Sequence, residues 1–192
     1  MFEPPIAHLR RATRDLHSAL ELRLDVIGAL ANVKTRHAML ERYYDLHAPA
    51  EAALAPWLDR IDGLHFEARR RGSALERLLG TRAFQPTAQT RGSPPVFDSK
   101  STALGFFYVL EGSTLGGRVM ARELARRGAD EELLAYLDPY GERTGAMWRS
   151  FVDVLNREVG DTSAEQIGGA VRGAIRGFQY ADICLCEERL AA

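Results

Sequence analysis

Arg10, Arg14, His17 and Glu21 fall on one narrow stripe if the segment around them is helical, because each residue turns an α-helix by roughly 100°. Ile6, Leu9, Leu16, Leu20 and Leu24 cover the adjoining face, which puts His17 at the border between apolar and polar sides. A planar apolar ligand can lie over such leucines. The imidazole then reaches a metal in its plane, and the two guanidiniums reach carboxylates at its solvent edge. Heme meets those demands. The plainer reading is a half-buried structural histidine beside two solubilising arginines, and the stripe alone leaves both open.

A second segment, FFYVLEGSTLGGRVMARELA, places Gly112, Gly116 and Gly117 inside an otherwise helical pattern. Each glycine there is disfavoured by roughly 1 kcal/mol relative to alanine. The compensation must be conformational freedom or close approach of another group. A backbone stripped of side chains can bend and pass near the face of a flat cofactor, leaving a small space for oxygen. Tight packing against another helix is the rival explanation. Phe106, Phe107, Tyr108 and Leu110 precede these glycines and supply pocket wall or core.

Read together, RRATRDLHSALE and the glycine segment carry T-x-x-x-H-x-x-x-E as Thr13, His17 and Glu21, and G-x-x-x-G-G as Gly112, Gly116 and Gly117. With both motifs, the chain resembles the heme oxygenase family, especially its bacterial biliverdin-forming branch. The resemblance covers most of the chain, with residues 80–95 and the final helix matching less distinctly. It implies that heme is both cofactor and substrate, with His17 as the axial ligand of its iron. It also implies ring opening to biliverdin, carbon monoxide and ferrous iron. Molecular oxygen and electrons from an external ferredoxin or flavoprotein are the co-reactants, and a bacterial phytochrome is a pathway partner that the product would suit.

Residue by residue, the resemblance sets Arg10 and Arg14 near the heme propionates and Gly112, Gly116 and Gly117 over the ring. Phe107 matches a family tyrosine position nearest the cofactor, and Phe178 a pocket or core aromatic. Glu21 holds polar groups or water near His17, with an ordinary one-turn helix pair as the rival account. One departure stands out. The best-known family motif has an aspartate directly after the first distal glycine, where it organises water; here that residue is Ser113, a weaker organiser. Bacterial relatives of this branch share the departure. Ser113 keeps open a non-degrading heme-binding or heme-sensing protein, and glycines that serve only packing would make the chain a helical interaction or scaffold protein. Glu111 reads as a solvated residue without a proton role.

The elements that must position these groups read as an all-α, heme-oxygenase-like fold in one domain, residues 1–192, since a domain typically takes roughly 150 residues. A first helix is expected from Ile6 to Val26, entered through Pro4 and Pro5. A second runs from Thr35 toward Arg60, where Pro49 and Pro56 should kink or divide it. Gly63 begins a shorter piece containing the run Arg69, Arg70 and Arg71, read as a solvated face. A long connection spans Gly80 to Pro95. The next helix starts at Asp98 or Ser99 and is interrupted at Gly112 and at Gly116 and Gly117. Another covers Gly145 to Glu158, and Ser163 with Gln166 caps a last helix reaching toward Leu190.

Composition narrows the function classes. The 25 Lys plus Arg against 26 Asp plus Glu, net charge -1, argue against a nucleic-acid-binding surface. Cys184 and Cys186 support neither a disulfide framework nor a cysteine zinc site, so a reducing compartment is expected. No apolar run approaches the roughly 18 residues of a membrane span. The expectation is a cytoplasmic protein without membrane attachment.

Overall fold

The structure, a computed structural model, describes residues 3–80, 92–160 and 163–186. Among them every regular element is helical, in agreement with the all-α expectation. Pro5 opens α1 (Pro5–Arg23), where a missing N–H costs nothing in a first turn. Asp25 caps the short α2 (Val26–Ala31) through the Gly28 N–H at 2.9 Å. Asn32 caps α3 (Val33–Leu58) through the N–H of Lys34. A 3₁₀ turn over Phe66–Arg69 leads to α4 (Gly72–Leu79). Then follow α5 (Lys100–Arg126), α6 (Glu131–Leu137), α7 (Thr144–Val159) and α8 (Ala164–Cys186). Most of the connection expected between Gly80 and Pro95, and the reach of the last helix toward Leu190, lie outside the described residues.

Two expected breaks are absent. Pro49 and Pro56 both lie inside the continuous helix α3. Pro49 leaves the carbonyl four residues earlier, that of Asp45, without its helical donor, and the Tyr180 hydroxyl of α8 donates to it at 3.0 Å. The helix therefore keeps its hydrogen-bond count by borrowing from a neighbour. Likewise α5 runs unbroken through Gly112, Gly116 and Gly117, none of which adopts positive φ. The glycines thin this helix without interrupting it. The short α6 was not anticipated; its start is marked by Asp130, whose side chain accepts from the N–H of Leu133 at 2.9 Å.

The centre of the molecule is the contact of α5 with α8. A Cβ on Gly105 would overlap the carbonyl of Ala170, and one on Gly173 would overlap the carbonyl of Thr102. At Gly177 an added Cβ would sit 2.7 Å from the Val109 side chain. Helix backbones thus touch directly, which only glycine permits. On another side, α7 runs along α5, with Phe107 and Phe151 rings 5.6 Å apart and Lys100 bonded to Glu158 at 2.6 Å. The first helix rests on α8 and α7, and the Ile6 N–H donates to Asn156 Oδ1 at 3.2 Å. Among the described residues it shares no broad interface with α5.

This packing predicts a contrast between glycines at the α5–α8 contact and a glycine of α5 outside it. Gly105→Ala and Gly173→Ala should each cost about 2 kcal/mol by overpacking, lowering Tm by about 5 °C for a chain of this size. Gly116→Ala meets no neighbour, so it should leave Tm unchanged or raise it slightly through helix propensity. Circular-dichroism melts compare the three, and identical Tm values would remove the close contact as the source of the constraint.

Candidate functional site

The stripe of α5 that α8 covers at Gly105 and Val109 continues through Gly112, Gly116 and Val119, and there its cover ends. A Cβ on Gly116 would meet nothing within 4 Å, and one on Gly112 would meet only the Trp148 ring at 3.6 Å. Leu115 and Val119 beside them are 41% and 64% exposed, although leucine and valine are ordinarily buried. The first helix repeats the pattern. Ile6, Leu9 and Thr13 are buried, then Leu16, Leu20 and Leu24 are only half-buried and the His17 side chain is 58% exposed.

Helix α8 ties the two open faces to one level. Gly177 lies against Val109 of α5, and the next residue, Phe178, meets His17 of α1 edge-on with ring centroids 5.7 Å apart. Glu21 Oε2 is 3.4 Å from Nδ1 of His17, which leaves Nε2 for a ligand. Thr13 is spent inside its own helix, its hydroxyl donating to the Leu9 carbonyl at 2.8 Å. Arg10 and Arg14 are exposed and form no ion pair among the described residues. Two hollows elsewhere, one lined by Val96, Phe106, Arg176 and Ile183 and one beside His65, contain neither His17 nor the α5 glycines.

Two residues sit elsewhere than their expected sites. Phe107 points away from the open stripe, because its place on α5 turns it toward α7; its ring packs 5.1 Å from Phe66 and 5.6 Å from Phe151 with 2% exposure. In this structure its ring belongs to the core between α5 and α7. Gly117 likewise faces α6, where an added Cβ would overlap the Leu137 carbonyl, so it serves helix packing. Gly112, Gly116 and Ser113 remain on or beside the open stripe, and Phe178 remains at its edge.

The arginine run is not a solvated face. Arg70 is exposed, but Arg69 and Arg71 are buried. Arg69 pairs with Glu111 and also donates to the carbonyls of Leu64 and Met147 and to Ser150. Glu111 is therefore buried, not solvated; the Tyr140 hydroxyl donates to its other oxygen at 3.0 Å, and burial pushes its carboxyl above the ordinary value. Arg71 donates to Ser113 Oγ at 3.2 Å and to the Tyr136 carbonyl at 2.8 Å. Its own backbone N–H and that of Gly72 bond Glu51, which also meets His47 Nδ1 at 3.2 Å. For Glu111 a sequence clue existed, since it shares the buried stripe of Leu104, Phe107 and Thr114. For Arg69 and Arg71, in a turn with no helical period, none did.

Whether heme suits these residues is a question of chemistry. An accessible imidazole nitrogen, partly exposed apolar side chains on two helices, and a backbone with open space over Gly116 are what a flat iron-bearing ring requires. The residues fit it. No protein-family model matches the chain. A heme oxygenase of Xanthomonas campestris pv. campestris is 33% identical over 153 residues, 78% of this chain and 88% of that relative.

The chain belongs to the heme oxygenase family.

Its enzyme class is accordingly that of a heme oxygenase. The crystal structure of the NO- and CO-bound heme oxygenase of Neisseria meningitidis superposes with a TM-score of 0.72 at 19% identity, covering 95% of this chain and 90% of that one. That likeness extends the fold assignment to nearly the full length.

Beneath the site, His47 and Glu51 give the fold a pH dependence. Burial holds the His47 imidazole below its ordinary 6.5. For Glu51 burial acts upward, but His47 and the two backbone donors outweigh it and hold the carboxyl below 4.5. Both groups bind more protons unfolded than folded. Their contribution is full above the unfolded values and is lost as pH falls, the imidazole's share first. Between about pH 7 and about pH 5 the Tm should fall, and His47→Gln should flatten that part of the profile. Parallel profiles for the two proteins would assign the acid sensitivity elsewhere.

Proposed function

We propose that this chain cleaves heme to biliverdin, carbon monoxide and ferrous iron, using molecular oxygen and electrons from an external ferredoxin or flavoprotein. The observation that carries this reading is that α8 joins an exposed imidazole on α1, through Phe178, to the α5 face, through Gly177 and Val109, along which Gly116 further on has open space over its backbone. When bound, heme supplies the iron that activates oxygen and is itself the ring that is cut.

His17 binds the iron through Nε2, while Glu21 at Nδ1 holds the ring's orientation and tautomer. Leu16, Leu20 and Phe178 give apolar surface to one side of the porphyrin, and Leu115 and Val119 to the other. Gly112 and Gly116 let the α5 backbone come close to the ring and restrict what fits between them. Arg10 and Arg14, unpaired on the solvent side of α1, bind the propionates by charge-assisted hydrogen bonds. Ser113 holds water on the α5 side, where a proton is needed. No helix among the described residues is long and apolar enough to cross a membrane; a cytoplasmic location, with a bacterial phytochrome as receiver of the bilin, completes the proposal.

Reductant-driven turnover of bound hemin, with catalase present to remove free peroxide, tests the activity. Biliverdin and carbon monoxide should appear as the Soret band decays; a stable Soret band would leave a heme carrier. His17→Ala should abolish the imidazole signature and nearly all turnover, with partial rescue by added imidazole, while the melt stays unchanged because the side chain is exposed. Retention of both signature and turnover would reject His17 as the ligand. The double change Arg10→Ala and Arg14→Ala should weaken hemin retention about fivefold, as expected of two exposed charge pairs.

A further inference from the structure

Arg71 is the odd group of the buried network. Arg69 beside it is neutralised by Glu111 and donates to four acceptors, with each of its three nitrogens engaged. Arg71 is 6% exposed, and no carboxylate forms an ion pair with its guanidinium among the described residues. The group stacks 4.4 Å over the Tyr136 ring, and its Nε is buried without a hydrogen-bond partner. The Tyr136 hydroxyl is buried without a partner as well. Glu111 and Glu51 lie near enough to act on this charge, but no carboxylate among the described residues touches the guanidinium directly. Two orphaned donors beside it are an arrangement that proteins fill with water or an anion. The charge has one route outward: Nη1 donates to Ser113, an exposed residue on the flank of the open α5 stripe.

That bond fixes what Ser113 offers. A hydroxyl has one hydrogen and two lone pairs. The hydrogen goes to the Leu110 carbonyl at 2.7 Å, and one lone pair takes the Arg71 proton. The remaining lone pair is left for a water to donate to, and the second hydrogen of a water so held would face a ligand on the open side. Such a water, polarised by the cation behind it, is a donor aimed at negative charge.

We propose that Arg71 is a positioning residue which, acting through Ser113 and the water it orients, makes the α5 side of the site selective for a small anionic ligand. The proposal rests on the heme reading above, because the anion would occupy the ring face opposite His17. Arg71 touches no substrate itself; it sets the hydroxyl and supplies the field.

The test uses the hemin-loaded protein and two probes read without turnover: azide affinity of the ferric complex and the C–O stretching frequency of the ferrous carbon monoxide complex. Arg71→Met should weaken azide about tenfold, the scale of one charge acting through a partly screened interior, and raise the C–O frequency. Arg71→Lys should recover part of both shifts. Ser113→Ala, at an exposed position that does not threaten folding, should move both readouts in the same direction and keeps the test decisive if Arg71→Met does not fold. Arg70→Gln, exposed and paired with Glu67, should change neither. Wild-type azide affinity and C–O frequency in Arg71→Met or Ser113→Ala, with a normal His17-dependent hemin spectrum, would overturn this proposal alone. Absence of any His17-dependent hemin spectrum in the wild type overturns the heme reading, and this one with it.

Discussion

The direct backbone contact between α5 and α8 is the constraint on which the rest of the structure depends. Gly105, Gly173 and Gly177 allow the two helices to lie closer than side chains would permit. Because α1 rests on α8 as well, the height at which His17 stands relative to the α5 glycines is set through α8. A backbone contact is a stiff spacer, since it has no rotamers to relax into. Widening it would move Val109 away from Gly177 and the α5 glycines away from His17 together, so helix packing and site geometry are one property.

A second layer of rigidity lies behind α5. The Arg69–Glu111 pair and the Tyr140 hydroxyl join the segment before α4 to α5 and to the region of α7, with all three nitrogens of Arg69 engaged. A buried pair of this kind contributes little net stability, because desolvation offsets its attraction, but removing either partner is costly. Its effect is to hold one arrangement. The Arg71 guanidinium borrows that fixed frame and is presented to Ser113 from it.

How much of this was legible depended on whether the determining contact was local. Periodicity, proline at the start of α1 and the Ser163 cap gave the helices, because those features act within a turn or two of chain. The division expected at Pro49 is absent because the missing local interaction is supplied from a distant helix, whereas α5 carries Gly112, Gly116 and Gly117 as ordinary helical residues. Tyr180, far along the chain, satisfies the Asp45 carbonyl; on α5, α6 fills the space over Gly117, while Gly112 meets only the Trp148 ring and Gly116 meets nothing within 4 Å. At the site, His17, Glu21, Gly112 and Gly116 could be found by stripe and motif. Phe107 could not be placed without knowing which side of α5 faces α7. The roles of Arg69 and Arg71 depend on partners in α5, α6 and α7 that no spacing in an arginine run reveals.

The open faces themselves carry a further consequence. Leu115 and Val119 on α5, with half-buried Leu16, Leu20 and Leu24 on α1, form the apolar sides of two helices that a helical protein would ordinarily press together. Here neither helix has the other as a broad partner. In the proposed reading the porphyrin is the missing layer, and burying these side chains against it adds apolar contact that the ligand-free fold lacks. A ligand that binds only the folded state stabilises it by mass action. Substrate is then also a structural component while it is bound. In the same reading, ring opening would remove the flat layer between these faces, which ties the proposed chemistry to the packing of the fold.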